Sequence, residues 1–315
     1  GRMCKEGLGT DTDRFASEQW YRQAYQGFLQ MEQDMADDKL YYRLGSMNLS
    51  GTGTEVDLIQ AMLYFEKAAE LGNMDALYGL GKLYLRKDFE GCDPAKAAEN
   101  LKDAAKQGHS YAQYLLGKLL LRGEDIPQNL ETAIQWLEKS AEQDNQYAQY
   151  LLGKILLRGD GVEADPKRAA ELLERSIEQG NLYAAYFLGK ACLSGEAIPQ
   201  DIDRAIRLLT DAAERGMDSA MYALAKLYLA DDLVPMDKEK AIYWLKKAVA
   251  LNNQYAQYQL GTMLLFGQGI DRDIEFGKHL LRLSAAQGNE YAQRILNNYG
   301  KTPIALAVYR LLASL

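Results

Sequence analysis

The stretch Ser110–Gly123, SYAQYLLGKLLLRG, is rewritten along the chain at a fixed step of 36 residues. Its Leu116-Gly117 pair returns as Leu44-Gly45, Leu80-Gly81, Leu152-Gly153, Leu188-Gly189, Leu224-Ala225 and Leu260-Gly261, and a weakened copy ends at Leu296-Asn297. An uninterrupted step of this size is the mark of a stacked-repeat solenoid, because one short unit cannot bury its apolar face without a neighbour. The expected fold is all-α, an α/α solenoid of helix-turn-helix repeats. A length of 315 residues would otherwise suggest two domains, but a repeat array grows in one direction and does not obey that count.

The second helix of each repeat (B) announces its start in one column: Asp57, Asp93, Asn129, Asp165, Asp201, Asp237 and Asp273. All are Asp or Asn, whose side chains accept hydrogen bonds from the free N–H groups of a first turn. Pro94 and Pro166 follow at the first helical position, which suits proline. The same helices announce their stops at Gly72, Gly108, Asp144, Gly180, Gly216, Asn252 and Gly288. Only residue types that tolerate a left-handed backbone occupy that column.

Between these caps, small residues (Ala61, Ala97, Ala133, Ala169, Ala205, Ala241) stand one turn ahead of a large one (Phe65, Leu101, Leu137, Leu173, Leu209, Leu245). A second small column follows at Ala68, Ala104, Ser140, Ser176, Ala212 and Ala248. Small side chains around a large knob let helices approach closely. The first helix (A) carries Ala112, Leu116, Gly117 and Leu121 and their equivalents. A helical glycine costs ~1 kcal/mol against alanine, so its recurrence predicts that a neighbouring backbone presses there.

Residues 1–13 are expected to be a disordered lead-in or an expression remnant. They are polar and Gly-rich, unlike a secretion signal. Residues 14–36 read as a capping helix, a degenerate half-repeat with Trp20, Ala24, Phe28 and Met31 on one face and Tyr21, Tyr25 and Leu29 beside it. The array spans 37–299, seven full repeats and a final half-repeat. Thr302-Pro303 opens a last apolar helix over 300–315, either a seal or an end cut short. No apolar run reaches the length of a membrane span. Three cysteines (Cys4, Cys92, Cys192) give no disulfide framework or metal spacing, which points to a reducing, cytoplasmic location.

The quoted pattern is similar to the Sel1-like repeat family, a relative of the tetratricopeptide repeats. The resemblance rests on Ala112-x-Tyr114-x-Leu116-Gly117, the Gly-containing turn after it, Asp or Asn before helix B, and Ala133-x-x-Trp136-Leu137-x-x-Ser140-Ala141. It recurs over about 37–299, with Ala225 replacing the glycine once and the turn before Cys92 lacking the usual glycine pair. The resemblance implies a right-handed α/α superhelix, a concave surface lined mostly by A helices, and adaptor or scaffold work. The cysteine-rich branch of the family is excluded by the cysteine count. The runs NQYAQYLLGKLLLRG and YWLKKAV also resemble, more weakly, Sel1-type tails that follow relaxase domains of mobile elements. That would make the chain a non-catalytic docking tail of a larger enzyme, since only His109 and His279 are present.

One face of helix A gathers Tyr111, Tyr114, Lys118 and Arg122 within about a third of the circumference at ~100° per residue. Equivalent positions hold Lys82, Tyr147, Tyr150, Lys154 and Arg158. By analogy with tetratricopeptide repeats this face lines the groove. One reading is a Tyr-walled cationic groove for an acidic or extended peptide, since Tyr and Arg dominate binding hot spots and Lys heads can hold carboxylates. The other is that the Tyr114 column packs between repeats with its hydroxyl bonded. Single-stranded nucleic acid also favours aromatics beside cations, but a net charge of −8 and a pI near 5.1 disfavour it. The histidines have no partner at metal or triad spacing, and the loop glycines lack the strand and Lys-Ser/Thr of a phosphate cradle. The expectation is a non-enzymatic scaffold for a protein or peptide partner, with no cofactor, no metal and no membrane.

Overall fold

Most helices begin where a polar side chain can satisfy the free first-turn N–H groups, the helix after Met217 being an exception, and this recurs along the chain in a computed structural model that describes residues 2–6 and 12–299. Among the described residues every regular element is a helix. They are α1 (Arg2–Glu6), α2 (Arg14–Asp34), α3 (Asp38–Ser50), α4 (Leu58–Glu70), α5 (Met74–Tyr84), α6 (Pro94–Lys106), α7 (Ser110–Arg122), α8 (Leu130–Glu142) and α9 (Gln146–Arg158). There follow α10 (Pro166–Glu178), α11 (Leu182–Ser194), α12 (Ile202–Glu214), α13 (Asp218–Ala230), α14 (Lys238–Ala250), α15 (Gln254–Phe266), α16 (Ile274–Ala286) and α17 (Glu290–Asn298). The odd-numbered helices from α3 are the A helices and the even-numbered ones from α4 the B helices. The chain divides between Leu152 and Gly153 into two compact units. The α/α repeat fold expected from the 36-residue step is the one the chain adopts.

The column read as B-helix caps acts as one. Asp93 Oδ1 accepts from the N–H groups of Ala95 and Lys96, both at 3.1 Å, and Asn129 Oδ1 accepts from Thr132 at 3.0 Å. The cap residue also donates its own N–H back to the preceding A helix, Asp93 to the Tyr84 carbonyl (2.9 Å) and Asp273 to Leu264 (3.0 Å). One residue thus starts helix B and closes the turn behind it. Asp93→Ala is expected to lose ~1 kcal/mol of stability, read as a lower urea midpoint with an unchanged slope.

The stop column has its left-handed backbone: φ is 94° at Gly108 and 60° at Asp144. The next residue donates its N–H to a carbonyl one turn back, His109 to Ala104 (3.1 Å) and Asn145 to Ser140 (3.2 Å), which absorbs a carbonyl the ending helix leaves free. That residue then caps the following A helix with its side chain. Asn73 Oδ1 accepts from Ala76 (2.9 Å), and Asn253 Oδ1 from Tyr255 (3.0 Å) and Ala256 (2.9 Å).

Packing bears out the expectation that a backbone presses on the helix-A glycine, most directly at Gly261, where the Gly277 carbonyl is the nearest atom to an added Cβ at 3.0 Å, and adds a side chain to it elsewhere. The nearest atom to a Cβ built at Gly117 is Leu137 Cγ at 2.9 Å, with the Ala133 carbonyl at 3.0 Å; at Gly81 the distances are 2.5 Å to Leu101 Cγ and 3.3 Å to the Ala97 carbonyl. The large B-helix knob fills the glycine notch, and the backbone beside the small column stands just behind it. Leu101, Leu137, Leu173 and Leu209 are wholly buried as a result. The second small column has a further use: Ser140 Oγ donates to the Ser110 carbonyl and Ser284 Oγ to the Gln254 carbonyl, each at 2.7 Å.

Of the lead-in expected to be disordered over residues 1–13, the described residues 2–6 form a short helix. Arg2 and Glu6 pair one turn apart (3.0 Å) in the short helix α1, and the Cys4 carbonyl accepts from the Asp13 N–H (2.8 Å). On α2, Tyr25, Phe28 and Leu29 pack on Leu40, Leu44 and Tyr64, whereas Trp20 and Met31 are exposed. Two polar anchors set that rotation: Tyr25 donates to Asn48 Oδ1 (3.2 Å), and Glu32 accepts from Tyr64 (2.9 Å) and Lys67 (2.7 Å). The helix expected over 300–315 lies outside the described residues.

Candidate interaction face of the A helices

Helical spacing puts a tyrosine and the lysine four residues later on one face. In the first unit Lys82 Nζ lies 5.5 Å over the Tyr78 ring and Lys118 Nζ 5.8 Å over the Tyr114 ring. The two tyrosine columns then interlock from repeat to repeat. Tyr78 meets Tyr111 at 6.4 Å between ring centroids, Tyr111 meets Tyr147 at 6.4 Å, and Tyr114 meets Tyr147 at 5.8 Å. His109 stacks on Tyr78 at 4.6 Å. Five aromatic rings from three successive repeats therefore form one connected surface.

The columns divide the work between support and exposure. Tyr114 and Tyr78 are half-buried, while Tyr111 and Tyr147 keep 48% and 44% of their surface open. Burial pushes the Tyr78 and Tyr114 phenols up, with neighbouring tyrosines adding to it, so these hydroxyls stay protonated hydrogen-bond donors through the physiological range. Burial, and then the nearby Arg122 charge, pull the Lys118 ammonium below the ordinary lysine value. Lys82 and Arg122 are exposed. Tyr150 is half-buried.

In the second unit, Lys154 is half-buried. Arg158 is partly engaged: its guanidinium lies 5.3 Å over the Phe187 ring and 3.9 Å from Asp160 Oδ2. The tyrosine pairing returns there, with Tyr222 and Tyr255 at 5.8 Å and Tyr258 and Tyr291 at 6.2 Å, and Lys190 lies 5.7 Å over Tyr186. A separate open cavity of about 1040 Å³ lies beside α10 and α12, with Pro166, Ile198, Pro199 and Ile202 in its wall and the Arg204–Glu174 ion pair at its side.

The column Asn73, His109, Asn145, Asn181, Met217, Asn253 and Asn289 escaped the sequence reading, although its residue types repeat at the same step. His109 shows what the position does. Its Nδ1 accepts from Ala112 N–H (3.1 Å) as a helix cap, and its Nε2 faces Asp75 Oδ1 (3.1 Å) in the preceding repeat. Among the described residues no group of three or more His, Cys, Asp or Glu side chains could hold a metal ion. Nor is any described helix long and apolar enough to cross a membrane.

Paired antiparallel helices on a constant step, a knob-in-notch core and a repeated aromatic face define a helix-hairpin repeat protein. The Sel1 repeat matches at residues 1–27, 39–73, 75–109, 110–145, 146–181, 182–217, 218–253 and 254–289, and the chain belongs to the Sel1 repeat family. The first of these matches begins in the stretch that holds α1. Sel1 repeat proteins are generally protein-interaction scaffolds and typically non-catalytic.

Among solved structures, the chain is similar to a protective antigen present in uropathogenic Escherichia coli strains that displays an SLR fold. The two are 30% identical with a TM-score of 0.73, over 95% of this chain and 63% of that one, so the present chain spans less than two thirds of that protein. A Sel1 repeat protein from Oxalobacter formigenes is 27% identical with a TM-score of 0.71, over 90% of this chain and 79% of that one. Yeast Tom70, 17% identical with a TM-score of 0.52 over 89% of this chain and 57% of that one, shares the fold alone. No curated protein sequence matches significantly.

Proposed function

We propose that the chain is a scaffold that binds a protein or peptide partner on the Tyr/Lys face of its A helices, with Lys82, Tyr111, Tyr114, Lys118, Arg122 and Tyr147 as the contact surface of the first unit. The observation that carries this reading is the pair of open rings, Tyr111 and Tyr147, braced from below by half-buried Tyr78 and Tyr114. Braced aromatics offer contact area while losing little side-chain freedom on binding, which is what a hot spot requires. Among the described residues the three cations have no carboxylate partner within ion-pair distance, and the partner chemistry that fits them is acidic. In the second unit, Lys154 extends the proposed surface more readily than Arg158, whose charge Asp160 already shares. The chain performs no catalysis in this reading.

The test is fluorescence anisotropy with a short fluorescein-labelled peptide of alternating glutamate and glycine. Tyr111→Ala with Tyr147→Ala is expected to weaken binding by about tenfold or more, the effect of losing ~1.4 kcal/mol of contact. The melting midpoint should fall by only a few degrees, because both rings are nearly half open already. Unchanged affinity in that double variant removes the aromatic face from the binding surface. A single-stranded oligonucleotide should fail to displace the peptide at physiological salt; displacement would favour the nucleic-acid reading.

A further inference from the structure

One column of the B helices reads Ile134 on α8, Ile206 on α12 and Ile242 on α14, but Ala170 on α10. Two repeats beyond Ala170 and Ile198, the corresponding Ile242 and Ile270 both pack against one hydrophobic core. Where Ala170 lacks those outer carbons, a groove of about 1040 Å³ lies open along α10, the loop after α11 and the start of α12. Its apolar wall is Pro166, Ala170, Ile198, Pro199 and Ile202, none of them fully buried. A volume of that order suits several side chains of a bound segment rather than one. α6 shares the alanine as Ala98, but Lys102 stands there where α10 has Glu174, so the charges around the two places differ.

The rim of the groove is acidic. Glu171, Glu174, Asp201 and Asp203 stand on it against two cations, Lys167 and Arg204, and Arg204 is engaged by Glu174. Asp201 caps α12, its Oδ1 accepting from the Arg204 N–H at 2.9 Å, and Asp165 caps α10 through the Arg168 N–H at 3.0 Å. The positive helix ends beside the groove are thus already answered by carboxylates and do not call for an anion. Glu171 and Asp203 are exposed and, among the described residues, have no ion-pair partner. Apolar floor and acidic rim together fit an apolar segment that carries positive charge.

We propose that this groove docks a segment of a protein partner in which large aliphatic side chains are flanked by Lys or Arg. The aliphatic side chains lie on Ile198 and Ile202, in the space that isoleucine fills at the equivalent positions, and the flanking cations meet Glu171 and Asp203. The groove uses no residue of the A-helix face and stands without it. Beside that face it gives the chain a second surface of opposite charge preference.

Fluorescence anisotropy with a fluorescein-labelled arginine-leucine-leucine-arginine peptide tests this. Ala170→Ile fills the groove from within, adds no charge and matches α8, α12 and α14. It is expected to weaken binding by about tenfold or more, with the melting midpoint held or raised. Glu171→Lys, at an exposed position outside the core, is expected to weaken binding by a similar factor, and it decides the matter should Ala170→Ile melt early. Wild-type affinity in either folded variant overturns the proposal. So does a wild type that fails to bind the peptide, or that binds a glutamate-leucine-leucine-glutamate peptide equally well. Self-association of the wild type that Ala170→Ile abolishes would make the occupant a second copy of the chain, and likewise overturns it. The glutamate-glycine peptide should bind both variants as it binds the wild type; if it binds none of them while the arginine-leucine peptide behaves as expected, the A-helix face falls and the groove stands.

Discussion

Gly117→Leu is expected to lower the melting midpoint by about 10 °C or to prevent cooperative folding of the first unit altogether. A Cβ alone at this position lands 2.9 Å from Leu137 Cγ and 3.0 Å from the Ala133 carbonyl. The remaining atoms of a leucine would have to displace a wholly buried knob and part α7 from α8. Overpacking of this kind typically costs 1–3 kcal/mol, occasionally more, and a rigid carbonyl behind the knob places it at the upper end. At ~3 °C per kcal/mol for a chain of this size class, the shift follows. Gly117→Ala should be far milder. Its single carbon still forces Leu137 to shift and meets the Ala133 carbonyl at 3.0 Å, a cost that the gain in helix propensity of ~1 kcal/mol reduces. The chain already contains such a substitution at Ala225, which is wholly buried alongside Leu245. An unchanged melting curve for Gly117→Leu would contradict the knob-in-notch core.

Lys82→Glu with Lys118→Glu is expected to reduce affinity for the acidic peptide by about a hundredfold while leaving the fold intact. Each replacement removes an attraction and adds a repulsion, and a change of ~1.4 kcal/mol at each site compounds to that factor. Among the described residues neither lysine has a carboxylate partner to orphan. Their stems lie against Tyr78 and Tyr114, contacts worth ~0.5–1 kcal/mol at exposed sites, so a small loss of stability is the most the fold should register. Anisotropy titration with the same peptide reads the first effect and thermal melting the second. Wild-type affinity in the double variant would sink the cationic part of the face. Binding to the wild type should also weaken as salt rises through the physiological range, since Lys82 is open to solvent and Lys118 only half-buried.

The helix boundaries were legible because every cap is a local transaction. Asp93 meets N–H groups two and three residues on, and Gly108 or Asp144 needs only its own φ, so the residue type at one column carries the information. The candidate face was legible in part. Tyr114 and Lys118 share a side by helical spacing alone, but nothing local says that Tyr111 stands open while Tyr114 is half-buried. That difference comes from Tyr147, which covers the Tyr114 ring from the next repeat. Arg158 stands in the same column as Arg122, yet Asp160 and Phe187 engage it. The A-helix cap column went unread for a similar reason. His109 looks like a turn residue in sequence, and its second contact, to Asp75 of the preceding repeat, is visible only once the repeats are packed.

From its sequence alone, then, this chain determined its period, its helices and its membership of a repeat family, since propensity, capping and steric tolerance act within a turn or two of chain. Only the tertiary structure decided what fills the glycine notch and which tyrosines stay open. Those outcomes depend on how one repeat is seated on the next, bringing residues about a full repeat apart to within ~3 Å, a hydrogen-bond length, and no pattern along a single repeat encodes that distance.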